Sequence, residues 1–270
     1  MVLETELSSL KILILALAST KEPYLADLLV QEETLGSISN PNVQIYWILG
    51  GAHEIKLDKQ RLYLPVEEKF PNILEKTIMA IRQLNKDLNP DIVIRTNTSS
   101  YFNLEKVHRL CEKLNSRKFD FAGYLETYKQ PTDPDRPIRF VNGSGIFLSK
   151  DATHVLEQMD FREYLGTPDD VAITLHLEKF GMTPISLKRN NICYHHLFFP
   201  RAHIRVKSWN NRSLTHHRMM LVHKFATSRN MYSKLQTALE IYRLEVKSVD
   251  LSAKKAFNFA VNLSLRRFKA

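Results

Sequence analysis

Residues 11–18 end in an unbroken apolar run, Ile12 through Ala18, which stops at Ser19-Thr20. A run of strand length with no polar face predicts a central strand buried on both sides. The rest of the chain supplies the elements to cover it. Residues 43–49 read as a second strand closed by Gly50-Gly51, and residues 62–65 as a shorter third. Residues 91–95 follow Pro90 and carry the β-branched Ile92, Val93 and Ile94, a fourth strand. Residues 119–125, 146–148 and 184–187 read as later strands. Helical stretches lie between them. Residues 23–31 carry Leu25, Leu28 and Leu29. Asn72 is placed to cap a helix whose apolar stripe is Leu74, Ile78, Ile81 and Leu84. Residues 104–114, 150–159 and 171–180 follow, the last stopped by Gly181, and the proline-rich residues 130–137 read as a surface loop. Strands and helices alternate without repeat. This predicts an α/β fold, a single domain with a mainly parallel central sheet flanked by helices.

Charge divides the chain unevenly. Residues 195–270 hold 15 Lys and Arg against 3 Asp and Glu, whereas residues 1–194 hold 23 against 26. The excess of a chain with net charge +9 therefore sits in its last quarter, a segment suited to nucleic acid, an anionic membrane surface or a phosphorylated ligand. Apolar content of 44% excludes a disordered chain, and no apolar run reaches the roughly 18 residues that cross a bilayer. Cys111 and Cys193, the 2 cysteines, make neither a disulfide framework nor a metal-ligand spacing. The expected setting is reducing and intracellular.

Three stretches and one strand end carry the candidate chemistry. After Arg95 the chain turns polar through Thr96, Asn97, Thr98, Ser99 and Ser100, then meets Tyr101 and Phe102. Ligands of α/β folds collect at the carboxyl ends of the strands, so this turn is a site candidate as well as an ordinary strand-to-helix connection. Asp169-Asp170 stands in the first turn of a helix after Thr167-Pro168. Either Asp169 or Thr167 can cap that helix, and a carboxylate there can instead deprotonate an acceptor hydroxyl. Asn142-Gly143-Ser144-Gly145 lets a ligand approach the backbone or marks a bulge or tight turn. The third stretch is a His/Arg cluster: Tyr194-His195-His196, His203 with Arg205 and Lys207, Arg212, and His216-His217-Arg218. Its spacing is not that of a structural zinc site; it suits a solvated basic face or a diphosphate.

Taken in order, these stretches resemble the fringe-like β-1,3-glycosyltransferases of the GT-A fold. The resemblance runs through Leu74-Glu75-Lys76-Thr77, then residues 93–103, then Gly143 to Ser149, then Pro168-Asp169-Asp170-Val171 and Leu177 to Gly181. It spans roughly residues 10–210. In that family the strand end reads Lys/Arg-Thr-Asp-x-Asp, and its aspartates hold a divalent ion against the donor diphosphate. This chain has Asn97, Thr98 and Ser99 there, and neutral oxygens bind Mn²⁺ or Mg²⁺ poorly. Two readings follow: cationic side chains neutralise the diphosphate, or the site is inactive. The retained aspartate pair and the basic cluster favour the first.

The resemblance implies an inverting transfer from a nucleotide-sugar to a hydroxyl of a glycan or glycoconjugate, with weak or no metal dependence. Asp170 aligns with the family's general base and Asp169 is the other candidate. Donor contacts fall on Ala18, Ser19, Thr20, Lys76, Arg95, Thr96, Asn97, Thr98 and Ser99, with His195, His203, Arg205 and Lys207 as cationic donors. Asn142, Gly143, Ser144 and Gly145 fall on the sugar and acceptor side. No metal ligand is assigned. The expected domains are residues 1–228 for the transferase and residues 229–270 for a basic helical extension. The extension is expected to pack on the domain or to touch a membrane from the cytoplasmic side. Nucleic acid is not an expected partner, because the tail lacks aromatic stacking runs. The alternative is an inactive relative that binds sugar-nucleotide or glycan.

Overall fold

The computed structural model describes residues 10–21, 24–37, 40–102, 104–130, 133, 135–188, 190–194 and 216–221. The strands are β1 (Ile12–Leu17), β2 (Val43–Leu49), β3 (Lys56–Asp58), β4 (Arg61–Tyr63), β5 (Ile92–Asn97), β6 (Ser100–Phe102), β7 (Phe121–Tyr128), β8 (Ile138–Ser149), β9 (Pro184–Ser186), β10 (Asn190–Tyr194) and β11 (His216–Leu221). The helices are α1 (Tyr24–Thr34), α2 (Ile73–Leu88), α3 (Leu104–Ser116), α4 (Lys150–Glu157) and α5 (Asp169–Lys179). Eight strands form one sheet in the order β3-β4-β2-β1-β5-β8-β7-β9. All but β3 and β8 run the same way. This is the mainly parallel α/β sheet expected from the sequence, flanked by helices on both faces.

β1 lies at its centre, and every residue of it is buried. Its alternate side chains feed two cores. Ile12, Ile14 and Ala16 pack with Leu28 of α1 and with Leu104, Val107 and Cys111 of α3. Leu13, Leu15 and Leu17 pack with α2, α4 and α5. An apolar residue on each side of every pleat is what a strand covered twice requires. The predicted stripe of α2 is buried in full, and each of its leucines and isoleucines contributes roughly 1.5–3 kcal/mol. The helix ends at Asn89 in the left-handed region, with Pro90 beyond it.

Three local expectations are corrected. Asn72 stands at the N-cap of α2, but its side chain donates to the Glu67 carbonyl at 3.3 Å and caps nothing; a 3₁₀ turn, Phe70–Asn72, leads into the helix instead. Neither Thr167 nor Asp169 caps α5, because Pro168 occupies the N-cap position and Asp169 already lies in the helix. Residues 142–145 do not precede a strand. They lie within β8, where its pairing with β7 jumps from Gly123–Ile146 to Leu125–Val141. Four residues of β8 there face Tyr124 alone, so of the two backbone readings, bulge and tight turn, the stretch takes the bulge.

A second sheet, in the order β10-β11-β6, continues from the end of β5. It sets His216, His217 and Arg218 of the basic cluster beside Phe102, Tyr101 and Ser100. His195, His203, Arg205, Lys207 and Arg212 lie outside the described residues, as does the proposed extension 229–270. Among the described residues no helix is long and apolar enough to cross a membrane.

Candidate functional site

The site begins where two paired strands part. β5 pairs with β8 only as far as Arg95–Ile146, while its pairing with β1 continues to Asn97–Leu17. Past that point the β8 bulge is held by side chains in place of ladder bonds. The Arg95 guanidinium donates to the Gly143 carbonyl, and Thr96 Oγ1 donates to the Ser144 carbonyl at 2.6 Å. Asn142 Oδ1 accepts from the Ser144 N–H at 3.0 Å, and its amide donates to Glu126 at 2.8 Å. A Cβ on Gly143 would run into the Arg95 guanidinium and would stand 3.2 Å from the Asp170 Cβ. One on Gly123 would meet the Gly145 carbonyl across the strands. Glycine is needed at both positions for close approach.

Arg95 is the hub. Although it is 2% exposed, it reaches three acceptors: the Gly143 carbonyl, Asn97 Oδ1 at 3.1 Å and the Asp169 carboxylate. Burial pushes the Asp169 carboxyl up from its ordinary range, and the Arg95 charge works against that shift. The Arg95 guanidinium is the counter-charge that the Asp169 carboxylate has in this buried position. Half-buried Asp170 points elsewhere: Oδ2 accepts from the Gly143 N–H at 2.8 Å and Oδ1 from the Val171 N–H at 3.0 Å. Each oxygen retains acceptor capacity beyond these bonds.

A cleft of about 470 Å³ opens at the carboxyl ends of β1 and β5; it shares Asn97 with this node, and Asp169 and Asp170 are not among its lining residues. Ala18, Ser19, Lys76, Asn97, Thr98 and Ser99 line it. Thr20 is not among the lining residues, and Arg95 and Thr96 stand behind the wall, bonded into the β8 bulge. Arg95 therefore holds other residues in place and does not itself line the cleft. Lys76 is 6% exposed; its Nζ donates to the Ala18 carbonyl at 2.8 Å and to Glu68 at 3.2 Å. Burial lowers the Lys76 pKa, and Glu68 opposes that lowering.

Several residues here have no motif to announce them. Gln31 of α1 donates to the carbonyls of Thr98 and Ser100 at 2.9 and 2.7 Å and accepts from Trp47 Nε1 at 3.1 Å, which fixes the turn after β5. Lys21, Tyr24, Lys69 and Phe70 also line the cleft. The turn does not fit a divalent ion. Asn97 Oδ1 faces the Arg95 guanidinium, the Thr98 carbonyl is taken by Gln31, and the nearby carboxylate of Glu68 is held by Lys76 and the Gly50 N–H. Among the described residues no three His, Cys, Asp or Glu side chains gather as a metal site.

No protein-family model matches the chain, and no curated protein matches it. Among solved structures, one similar chain is a glycosyltransferase involved in the glycosylation of the major capsid of PBCV-1. It is 11% identical, with a TM-score of 0.48, and the match covers 86% of this chain and 98% of that one.

Proposed function

We propose that this protein is an inverting glycosyltransferase, moving a sugar from a nucleotide-sugar to a hydroxyl of a glycan or glycoconjugate without a divalent ion. One observation carries the reading. A cleft at the carboxyl ends of the two central strands is joined by hydrogen bonds to a carboxylate pair at a helix start: Asn97 to Arg95, Arg95 to Asp169 and Gly143, and Gly143 to Asp170. Crevices at strand ends are where open α/β sheets bind ligands.

In this mechanism Asp170 accepts the proton of the acceptor hydroxyl. The acceptor oxygen bonds to the anomeric carbon as the bond from that carbon to the diphosphate oxygen breaks, which inverts the centre. Charge builds on the departing diphosphate, so a cation in the cleft wall such as Lys76 stabilises the transition state more than the ground state. Asp169, committed to Arg95, positions the head of α5. The β8 bulge, bonded to Asp170 through Gly143, stands on the acceptor side.

A second reading is a relative that binds nucleotide-sugar without turning it over. It is favoured by the protein partners that both carboxylates already hold. A donor screen separates the two: incubate the full chain with UDP-, GDP-, dTDP- and CMP-sugars and mixed glycan acceptors, with and without EDTA, and follow nucleotide release. Release that survives EDTA is the expected result. Binding without release from any donor would establish the second reading. Release abolished by EDTA would overturn the metal-free mechanism.

A further inference from the structure

We infer that the cleft grips a nucleoside diphosphate through two lysine–aromatic pairs, Lys21 with Tyr24 and Lys69 with Phe70, with no metal ion between protein and phosphate. The inference rests on the nucleotide-sugar reading above and assigns its donor contacts to residues that no motif marks.

The first observation is exposure. Tyr24 is 50% exposed and Phe70 is 73% exposed; among the described residues Phe180, away from the cleft, is the other aromatic exposed to that degree. Both rings line the same cleft. They reach it from opposite sides of the sheet, since Tyr24 heads α1 on one core and Phe70 stands just before α2 on the other. Partly exposed rings along a cleft suit a flat ligand, and a nucleobase stacks on such rings whatever its hydrogen-bonding edge.

The second observation is charge. Lys21, Lys69 and Lys76 line the cleft, and Glu68 is the one acidic residue among its lining. Lys76 is buried and bonded, a fixed charge in the wall. Lys21 and Lys69 hold weaker positions. Lys21 Nζ makes a long 3.5 Å contact with the Glu68 carbonyl. Lys69 pairs with Glu67 at 2.6 Å, with both side chains more than half exposed. An exposed pair of that kind contributes little, so its lysine can turn to a stronger anion. The third observation is the misfit of Asn97, Thr98 and Ser99 to a divalent ion. The volume of about 470 Å³ falls in the range of small-ligand and cofactor sites.

The test is calorimetric titration of the full-length chain in EDTA with UDP, GDP, dTDP, ADP and inorganic pyrophosphate. At least one nucleoside diphosphate is expected to bind. Phe70→Ala and Tyr24→Ala should each weaken it by roughly 5- to 100-fold, the loss of one stacking contact, while pyrophosphate binding stays unchanged. Lys21→Gln with Lys69→Gln should weaken nucleoside diphosphate and pyrophosphate by a similar factor. All four side chains are on the surface, and melting curves matched to the parent chain confirm that the variants fold. Wild-type affinity in the aromatic variants, or binding only when Mn²⁺ or Mg²⁺ is added, would overturn the inference. Its failure is distinct from that of the function proposed above. A chain that binds through these four residues but never releases nucleotide from a donor sinks the transferase and keeps the grip. A chain that turns over donors equally well with Phe70→Ala and Tyr24→Ala does the reverse.

Discussion

Two buried cations flank the turn after β5, and they are used differently. Arg95 and Asp169 form a pair whose side chains are 2% and 11% exposed, and for Lys76 and Glu68 the figures are 7% and 10%. Burial alone does not tell them apart. Arg95 spreads a planar fork over β5, the β8 bulge and the head of α5, and fork geometry fixes each partner it touches. Lys76 is a point charge on a flexible stem, anchored to the Ala18 carbonyl and lining the open cleft. The two charges also sense each other, since Arg95 adds to the lowering of the Lys76 pKa. The first pair thus locks the carboxylates to the sheet, and the second sets a charge in the cleft wall, where the proposed mechanism uses it. Two ion pairs of similar burial thus have different surroundings, one bonded into the scaffold and one lining the cleft.

The comparison breaks most visibly at Arg95. Arg95→Ala leaves the largely buried Asp169 carboxylate unpaired and should cost about 3–5 kcal/mol, read from urea denaturation midpoints. A loss below about 1 kcal/mol would show that the hub is not structural. Arg95→Lys should recover part of the stability but little turnover, because an ammonium cannot reproduce the fork. Gly143→Ala comes next. Its methyl group must displace the Arg95 guanidinium from a strand bulge with no spare room, and overpacking of this kind costs about 1–3 kcal/mol. Lys76→Met sharpens the contrast: nucleotide affinity should drop by about tenfold or more in calorimetry, with a smaller stability loss than Arg95→Ala. Equal stability losses in the two variants would make Lys76 another structural cation.

The smallest effect lies away from the cleft. His176 on α5 is buried, with Nδ1 3.2 Å from the Tyr164 hydroxyl and its ring against Phe180, and Lys179 and Glu163 are its charged neighbours. Burial lowers its pKa from 6.5. Below that value the unfolded chain takes up the proton before the folded one. The stability that His176 contributes is therefore present above 6.5 and is lost as the pH falls toward the lower folded pKa. Thermal midpoints across that window should fall less steeply in His176→Gln than in the parent chain. An identical slope would remove His176 from the account.

Much of the scaffold was legible because its signals are local. The apolar run of β1, the stripe of α2 and the glycine after α5 each state their structure within a few residues. The edge of the sheet was not. β3 is exposed throughout and carries no apolar alternation, and it pairs only because β4 lies beside it. β6 is three residues long and takes its pairing from β11, more than a hundred positions away. At the site, Asn97, Thr98, Ser99 and Lys76 stand in stretches that the sequence marks, and they line the cleft. The burial of Arg95 was not legible, because a charged residue at a strand end gives no sign that a bulge 48 positions later will cover it. Gln31 hides in an apolar helix, and Lys21, Tyr24, Lys69 and Phe70 meet only once α1 and α2 close over opposite faces of the sheet.

The most direct test of the central claim compares Asp170→Asn with the parent chain in two readouts, nucleoside diphosphate affinity and nucleotide release from the active donor in EDTA. Asparagine keeps an acceptor for the Gly143 N–H but cannot take a proton from the acceptor hydroxyl. The expected result is an affinity within about twofold of the parent and a release rate lower by roughly 10²- to 10⁴-fold, the contribution of a general base. Release at the parental rate in Asp170→Asn would contradict it.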